Sequence, residues 1–287
     1  MELRQLKYFI ASAETLNFTE AAQQCFITQS TLSQQIKQLE NDLGALLFER
    51  IGKRVFLTEA GRAFLPYARQ TVADADYGVQ RLKDMEGLRT GNLRIGTTFG
   101  LAALITDAIN HFSKQYPEIH LEVVFLKQDD LIEAVRERQV DFALTFEMME
   151  KDELLNEEPV ATYHLRAIVS SDNPLSQQAT VSLRQLEDYN ICTPARGMNA
   201  RRMFDALINK KGVDLHPRLE INEIHTLLHL VRTGRWVAIL VDSIIHGEEG
   251  LHAVPLREAP LPMPVVWLYP KGMYLSTAIR TFMSVLH

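Results

Sequence analysis

Hydrogen-bonding side chains dominate one face of a helix that the sequence predicts after residue 28. At about 100° per residue, Ser30, Ser33, Gln34, Lys37 and Asn41 fall within one arc of this helix. Serine, glutamine and asparagine can pair with base edges in the major groove of DNA, whereas a merely solvated helix face more usually carries glutamate and lysine. The acidic residues come only near the end of the helix. The chemistry that this face can perform is therefore the reading of base edges.

A second candidate group is basic and surrounds a glycine. Arg50, Lys53 and Arg54 flank Gly52, which can supply a tight turn between two short strands. Cations on such a hairpin can reach phosphates or a minor groove. Thr58, with the acidic residue after it, can cap the helix that follows. The stretch predicts a basic wing.

Two short amphipathic helices must position the polar face. Apolar residues recur at helical spacing in both, namely Phe18, Ala21, Ala22 and Cys25 in the first and Leu32, Ile36, Leu39 and Leu43 in the second. An amphipathic helix pair alone is common in protein cores, and a basic hairpin alone is a weaker indication of DNA binding than the pair. The succession of helix, turn, helix and basic hairpin is far more specific, and it favours a DNA-binding head.

Short motifs in this head resemble a known family. Residues 28–36, TQSTLSQQI, and residues 57–61, LTEAG, follow the pair Ala21 and Ala22 in an order similar to the N-terminal signature of LysR-type transcriptional regulators. The resemblance implies a winged helix-turn-helix over residues 1–58, with the helix-turn-helix itself at about 18–37. The residues that it assigns to double-stranded promoter DNA are Gln29, Ser30, Thr31, Ser33, Gln34 and Lys37 on the helix and Arg50, Lys53 and Arg54 on the wing.

Composition bounds the class of protein. The formal charge of −6 argues against indiscriminate nucleic-acid binding, and the first 90 residues carry 11 basic and 11 acidic side chains, so the excess acidity lies beyond them. No apolar run is long enough to cross a bilayer, and the N-terminus does not look like a signal peptide, so we expect a cytoplasmic protein without a membrane partner. Cys25 and Cys192 are expected to be buried thiols.

A single long helix is predicted from residue 58 to about residue 87. Apolar and small residues alternate spacings of four and three along it, which is a heptad seam. The alternative is a helix packed on its own domain. The family resemblance favours dimerisation through a linker helix at 59–90, in a homodimer or a homotetramer. The predicted seam residues are Phe64, Ala68, Thr71, Ala75, Leu82 and Met85.

Beyond residue 91 strands and helices alternate, which indicates α/β architecture. Strands are predicted at 93–97, 121–126, 141–146, 167–170, 190–193, 218–221, 236–241 and 264–269. The resemblance implies a two-lobed α/β effector domain at 91–287, similar to periplasmic binding proteins. Lobe I would cover about 91–162 and 264–287, and lobe II about 163–263.

Two such lobes leave a cleft at the carboxyl ends of their strands, where helix N-termini attract anions. The candidate residues there are Thr97, Thr98, Phe99, Gly100, Phe146, Thr193 and Arg196. The alternative is that the threonines only cap helices and that the arginine is solvated. The resemblance implies effector contact near Thr98, so we expect a small organic or inorganic anion as effector, with no other cofactor.

The sequence thus predicts a transcriptional regulator that carries no catalytic chemistry of its own and meets RNA polymerase if it is an activator. An enzyme or a binding protein on the same lobes is the rival, but no nucleophile elbow, phosphate loop or dinucleotide motif is present. His225 and His229 lie four apart without a third ligand, so no metal site is expected. Trp236 and Val241 stand where the family usually has glycine and proline.

Overall fold

The computed structural model of the chain describes residues 1–51, 54–85, 91–258 and 261–286. Its contacts divide the chain into two compact units. These are Met1–Leu88 with Glu137–Gln139, and Arg89–Arg136 with Val140–His287. The first unit is helical with a two-stranded sheet and the second is built on one mixed sheet, so the expected fold class is confirmed.

The first unit contains the predicted helix-turn-helix and hairpin in the predicted order. Its elements are α1 (Leu3–Thr15), α2 (Phe18–Gln24), α3 (Gln29–Leu43), β1 (Phe48–Ile51), β2 (Arg54–Leu57) and α4 (Glu59–Met85). β1 and β2 pair antiparallel, with Ile51 opposite Arg54. The helix-turn-helix is confirmed as α2 and α3, and the wing as the hairpin of β1 and β2.

Side-chain caps determine where these helices begin. The Asn17 side chain accepts a hydrogen bond from the backbone N–H of Thr19 at 3.0 Å, which starts α2. Thr28 Oγ1 accepts from the backbone N–H of Thr31 at 3.2 Å, which starts α3. Gly44 ends α3 in the left-handed region, at φ +68°. Local hydrogen bonding therefore sets both ends of α3.

One small core holds the three helices together. Phe9 is fully buried, and its ring lies 5.5 Å from that of Phe48 on the hairpin, centroid to centroid. The side chains of Leu32, Ile36 and Leu39 on α3 are each at most 2% exposed. The predicted apolar stripe of α3 therefore faces the core, and the opposite face of α3 is left for solvent.

The second unit begins with parallel strands joined by helices. In chain order the elements are β3 (Gly91–Thr97), α5 (Ala102–Gln115), β4 (Ile119–Phe125), α6 (Gln128–Arg136) and β5 (Phe142–Phe146). β3 lies between β4 and β5 and is parallel to both. A similar set follows with α7 (Leu183–Leu186), β7 (Asn190–Pro194), α8 (Asn199–Lys211), β8 (Leu219–Ile221), α9 (Ile224–Arg232) and β9 (Trp236–Val241). In it β7 is parallel to both β8 and β9.

Two long strands join these sets into one sheet. They are β6 (Leu155–Ser170) and β11 (Pro262–Pro270), and they pair antiparallel. β11 also pairs with β5, and β6 also pairs with β9, so the strand order is β4-β3-β5-β11-β6-β9-β7-β8. β10 (Leu251–Pro255) pairs with β6, and α10 (Thr277–Ser284) follows β11 in the chain order.

The sequence-based assignment of strands was incomplete here. Only residues 167–170 were predicted as strand, whereas β6 has 16 residues, and β10 was not predicted. The first half of β6 contains Glu157, Glu158 and Pro159 and is mostly half-buried, so it lacks both an apolar run and a clear alternation. Its strand conformation depends on the ladder with β11, which no local pattern encodes.

Candidate functional site

The predicted reading face of α3 lies at the surface. Gln29, Ser30, Thr31, Gln34 and Lys37 are exposed, and Ser33 is half-buried. These side chains project from one continuous helical arc, because the apolar residues of α3 are all on the other side. The arc can therefore meet a partner without any rearrangement of the core.

Hydrogen bonds pre-order part of this face. Gln29 Nε2 donates to Ser33 Oγ at 2.9 Å. Thr28 Oγ1 lies 2.9 Å from Ser30 Oγ and 2.8 Å from Thr31 Oγ1, so the hydroxyls at the start of α3 form one group. Within the described part of the chain, the Gln34 amide has no hydrogen-bond partner. The donors and the acceptor of Gln34 are thus free for a base edge.

The acidic residues at the end of α3 are engaged elsewhere. Glu40 Oε1 accepts the backbone N–H groups of Leu47 and Phe48 at 2.8 and 3.1 Å, which connects α3 to the hairpin. The chain's N-terminal ammonium lies 2.8 Å from Asp42 and, with the amide of Gln38, holds the pKa of that carboxyl below its usual range. Neither carboxylate is directed at the reading face, which limits repulsion from phosphates.

Two of the three predicted wing cations belong to the strands of the hairpin. Arg50 lies on β1 and Arg54 on β2, while Lys53 lies outside the described residues. Thr58 caps α4, because its Oγ1 accepts from the N–H of Gly61 at 2.9 Å. A Cβ atom at Gly61 would lie 2.1 Å from the carbonyl oxygen of Leu47, so only glycine allows this close approach.

The predicted seam of α4 has two different halves. Phe64 packs against Phe9, with ring centroids 5.6 Å apart, and Ala68 is 1% exposed in the core of the first unit. Thr71 is exposed, and its hydroxyl donates to the backbone carbonyl of Tyr67 in the same helix. Ala75 is half-buried, and Leu82 is 64% exposed. Met85 is the last residue of α4. The first two seam residues therefore serve this chain's own core, whereas Leu82 is an exposed apolar side chain.

A pocket of about 420 Å³ lies between the two sets of parallel strands, where β3, β5, β7 and β9 end. Ten of its fifteen lining residues are apolar. The lining consists of Thr98, Phe99, Gly100, Leu126, Lys127, Gln128, Phe146, Pro194, Met198, Asn199, Ala200, Ile224, Leu240, Val241 and Ile244. Its mostly apolar lining with a few polar groups is typical of a small-molecule site.

The polar groups of this pocket have unequal hydrogen-bonding capacity. Thr98 is 5% exposed, and its Oγ1 has no hydrogen-bond partner among the described residues. Both ends of the Gln128 amide are engaged, since Nε2 donates to the carbonyl of Phe146 at 2.7 Å and Oε1 accepts from Asn199 at 2.8 Å. The Thr98 hydroxyl is therefore a buried group whose hydrogen-bonding capacity is unsatisfied.

The helix N-termini around the pocket also differ. Glu223 caps α9 by accepting the N–H groups of His225 and Thr226, and these bonds, with that from the Thr226 hydroxyl, lower the pKa of the Glu223 carboxyl. α8, by contrast, begins after Met198 without a side-chain cap. Its first backbone N–H groups, which include that of Asn199, have no partner within the helix. An anion fits the start of α8 and not that of α9.

Three of the predicted effector residues do not line this pocket. Thr97 is fully buried, and its Oγ1 lies 3.5 Å from the carbonyl of Thr98. Thr193 is also buried, and its Oγ1 accepts from Arg201 at 3.0 Å. Arg196 is exposed. The structure therefore brings together Thr98, Phe99, Gly100 and Phe146 from the predicted set.

Comparison with known proteins identifies the family of this chain. Residues 86–287 match the model of the LysR substrate binding domain, and residues 3–62 match that of the bacterial regulatory helix-turn-helix protein, lysR family. The chain belongs to the LysR family. It is a DNA-binding transcriptional regulator whose activity a small-molecule effector modulates.

Two relatives and two solved structures place this LysR-family regulator among similar proteins. The HTH-type transcriptional activator CmpR of Synechocystis sp. is 28% identical, covering 99% of this chain and 94% of that protein. The HTH-type transcriptional regulator YnfL of Escherichia coli is 30% identical, covering 98% of this chain and 96% of that protein. A full-length OxyR variant from Pseudomonas aeruginosa has a TM-score of 0.78 at 20% identity, covering 100% of this chain and 94% of that one. Full-length CbnR complexed with its target DNA has a TM-score of 0.67 at 21% identity, covering 100% and 99%.

The sequence analysis of this LysR-family regulator missed a polar clasp across the pocket. Gln128 Oε1, from α6, accepts from Asn199 at 2.8 Å and from Arg202 Nη2 at 3.0 Å, both on α8. Arg202 also lies 3.1 Å from Asp129. On another side, Ser243 Oγ donates to the carbonyl of Gly100 at 2.7 Å. Polar residues directly after β4 were an available signal, because they follow a parallel strand as Thr98 follows β3.

The two cysteines of the regulator are free. Cys192 is fully buried on β7, and desolvation raises the pKa of its thiol to about 12. Cys25 is half-buried, and burial raises the pKa of its thiol too. Within the described ranges, His, Cys, Asp and Glu side chains form no group of three that could hold a metal ion. No helix of the described chain is long and apolar enough to span a membrane.

Proposed function

We propose that the exposed arc of α3 reads the bases of an operator in the major groove. Gln29, Ser30, Thr31, Ser33, Gln34 and Lys37 supply the donors and acceptors. The proposal is supported by the free amide of Gln34 and by the carboxylates of Glu40 and Asp42, which are engaged away from the arc. Arg50, Lys53 and Arg54 on the wing contact phosphates or the adjacent minor groove.

The chain is proposed to act as a homodimer or a homotetramer. Residues 1–58 form the DNA-binding head, 59–90 the linker helix, and 91–287 the effector domain, with lobe I at about 91–162 and 264–287 and lobe II at about 163–263. The exposed Leu82 and the residues near it on α4 supply the contact between copies. Two heads then meet a two-fold operator in the cytoplasm, and an activator would also contact RNA polymerase.

The effector is proposed to bind in the pocket between the lobes as a monoanion with an apolar body. The observation that carries this proposal is the buried, unpartnered hydroxyl of Thr98 in a largely apolar wall. The uncapped start of α8 and the exposed Lys127 favour one negative charge, while Leu240, Val241 and Ile244 favour an apolar body. The enzyme reading has no supporting observation in this pocket.

Binding in this pocket must favour one arrangement of the lobes in order to regulate. A ligand with equal affinity for two arrangements shifts neither, so the effector has to change the balance of the contacts that join the lobes. The bonds of Gln128 to Asn199 and of Ser243 to Gly100 are the contacts available for this. No separate catalytic step is needed for the effector to alter operator binding.

Thermal unfolding of the full-length protein against three probes tests the proposal. Benzoate carries one negative charge on an apolar ring, benzamide is its neutral analogue, and phosphate is an anion without an apolar body. Benzoate should raise the unfolding temperature at millimolar concentration, and the other two should not, because a bound ligand stabilises by mass action. Stabilisation by phosphate alone would reject the proposal that the effector has an apolar body. Stabilisation by benzamide equal to that by benzoate would reject the proposal that the effector is an anion. No response to any of the three would remove support for the pocket as the effector site.

A further inference from the structure

The phenylalanine in the turn between α2 and α3 exposes its side chain to solvent. The side chain of Phe26 is 95% exposed, whereas the other phenylalanines of the helix-turn-helix and of β1, Phe18 and Phe48, are buried. The turn lies in the head of the regulator, directly before the helix that we assign to base reading. A large aromatic ring held in water gains nothing from packing, so its presence calls for another reason.

The backbone of Phe26 is also in an unfavourable conformation. Its φ is +56°, in the left-handed region. The N–H of Phe26 bonds the carbonyl of Gln23 at 3.1 Å, and the N–H of Ile27 bonds that of Ala22 at 3.0 Å. This pair of bonds is the helix-ending arrangement in which glycine, or sometimes asparagine, is the usual residue. A phenylalanine there is strained, and its exposed ring gains no burial that would offset the strain.

The position of Phe26 relative to the reading face suggests a reason. Thr28, two residues later, is the N-cap of α3, and Gln29 and Ser30 in the first turn are exposed. In helix-turn-helix proteins the N-terminal end of the recognition helix approaches the base edges. The ring of Phe26 is therefore carried at the end of α3 that comes nearest to DNA.

We propose that Phe26 makes an apolar contact with the operator. DNA offers two apolar surfaces at the border of the major groove, namely the carbons of deoxyribose and the C5-methyl group of thymine. The ring is uncharged, so it adds surface contact and no phosphate neutralisation. This inference rests on the proposed role of α3 as the recognition helix. The strain in the turn is retained because the ring is needed in the complex.

Two substitutions at this position separate a DNA contact from a structural role. Phe26→Gly and Phe26→Asn both suit the left-handed backbone and remove the ring, and the asparagine variant controls for the extra flexibility of glycine. Affinity is measured for a duplex that the wild-type protein selects from a random-sequence pool. We expect about a tenfold loss in both variants, together with an unfolding temperature equal to or above that of the wild type. The slope of log K against log salt should stay unchanged, because no phosphate contact is lost.

Leu16→Gly is the matched control for the strain. Leu16 ends α1 with φ +49° and is 43% exposed, so glycine there gives similar backbone relief ten residues before Phe26. Its unfolding temperature should also rise, while operator affinity should fall much less than in the Phe26 variants. Phe26→Leu, which keeps an apolar side chain in the same strained turn, should retain most of the affinity.

A duplex in which uracil replaces thymine separates the two apolar surfaces. If the ring contacts a thymine methyl group, wild-type affinity for the uracil duplex falls to that of Phe26→Gly. If the ring contacts deoxyribose, the tenfold difference between the two proteins persists on the uracil duplex.

Three outcomes overturn the inference. They are affinity within twofold of the wild type in both ring-less variants, a lowered unfolding temperature, and a changed assembly state without loss of affinity. The last would mean that the ring meets a second copy of the chain. Gln34→Ala is measured in the same titrations, because its normal affinity would reject α3 as the recognition helix, whereas a normal Phe26→Gly beside a weakened Gln34→Ala rejects only the contact of Phe26.

Discussion

The predicted reading face of α3 and the wall of the pocket in the second unit use polar side chains in opposite ways. On α3 the polar groups are exposed and share hydrogen bonds, as Gln29 does with Ser33 at 2.9 Å. In the pocket the polar groups are few, and the Thr98 hydroxyl is buried without a partner. Exposed polar side chains can replace hydrogen bonds to water with hydrogen bonds to bases, at little cost to the stability of the fold. A buried hydroxyl without a partner gains a hydrogen bond only when a ligand binds. The first surface suits a large, charged and hydrated partner, and the second suits a small ligand that excludes water.

If these two regions work separately, breaking the assembly should abolish tight DNA binding and spare the pocket. Leu82→Arg places a charge where copies of α4 are proposed to meet. Sedimentation should show a reduced dimer population, and operator affinity should fall by about a hundredfold or more, because the two heads are no longer linked. Stabilisation by benzoate should remain.

Leu154→Arg is the control for this variant. Leu154 has the same exposure as Leu82, 64%, but lies in the second unit, away from α4 in the sequence. It should leave both assembly and DNA binding intact. An unchanged sedimentation profile for Leu82→Arg would disprove the seam.

Loss of the free amide on α3 should affect specific binding more than general binding. Gln34→Ala is expected to weaken binding to the selected operator by about ten- to a hundredfold, and binding to random DNA by less than twofold, since a base contact carries the sequence information. Fluorescence anisotropy with both duplexes measures the ratio. Gln38→Ala serves as control, because its amide already donates to Asp42 at 2.9 Å. Equal loss on both duplexes in Gln34→Ala would contradict the assignment.

Two threonine variants should separate a ligand-binding hydroxyl from a structural one. Thr98→Val removes the unpartnered hydroxyl and should lower effector affinity about tenfold without lowering stability, since no internal bond is lost. Thr193→Val removes the acceptor of Arg201, which is 4% exposed, and should lower stability by about 1–3 kcal/mol without changing effector affinity. Calorimetry and thermal unfolding measure the two effects. Loss of effector affinity in Thr193→Val, with normal affinity in Thr98→Val, would place the effector site near Thr193 instead.

The smallest effect is expected from the clasp across the pocket. Arg202→Ala removes bonds to Gln128 and Asp129, but the Arg202 and Asp129 side chains are 44% and 74% exposed. Exposed ion pairs contribute about 1 kcal/mol or less, so the effector should dissociate only a few times faster. Arg196→Ala, at an exposed position outside the pocket lining, is the control. Stopped-flow rates that are the same for both variants would show that the clasp does not hold the pocket closed.

Prediction from sequence succeeded where a helix alone defines a surface. The spacing of Leu32, Ile36 and Leu39 fixed which side of α3 is buried, so the exposure of Gln34 and Lys37 could be predicted. The parallel strands were also predicted, because strand-forming and helix-forming segments alternate along this part of the chain. The pocket was predicted only in part, since Thr98 was found by its place after β3, but Thr193 was assigned from an equivalent place and proved to bond Arg201.

What the sequence determined by itself is the head: its caps, its apolar stripes and its polar arc all arise from residues within a few turns of one another, where local geometry decides direction. Only the tertiary structure decided that the Thr98 hydroxyl has no partner among the described residues and that β6 runs for 16 residues. It also decided that Phe64 and Ala68 serve the core of the head. In each of these cases the deciding partner comes from a distant part of the chain, such as β11 for β6 and α1 for Phe64. Periodicity carries information about neighbours along a helix or strand, and none about which distant atoms will satisfy a buried group.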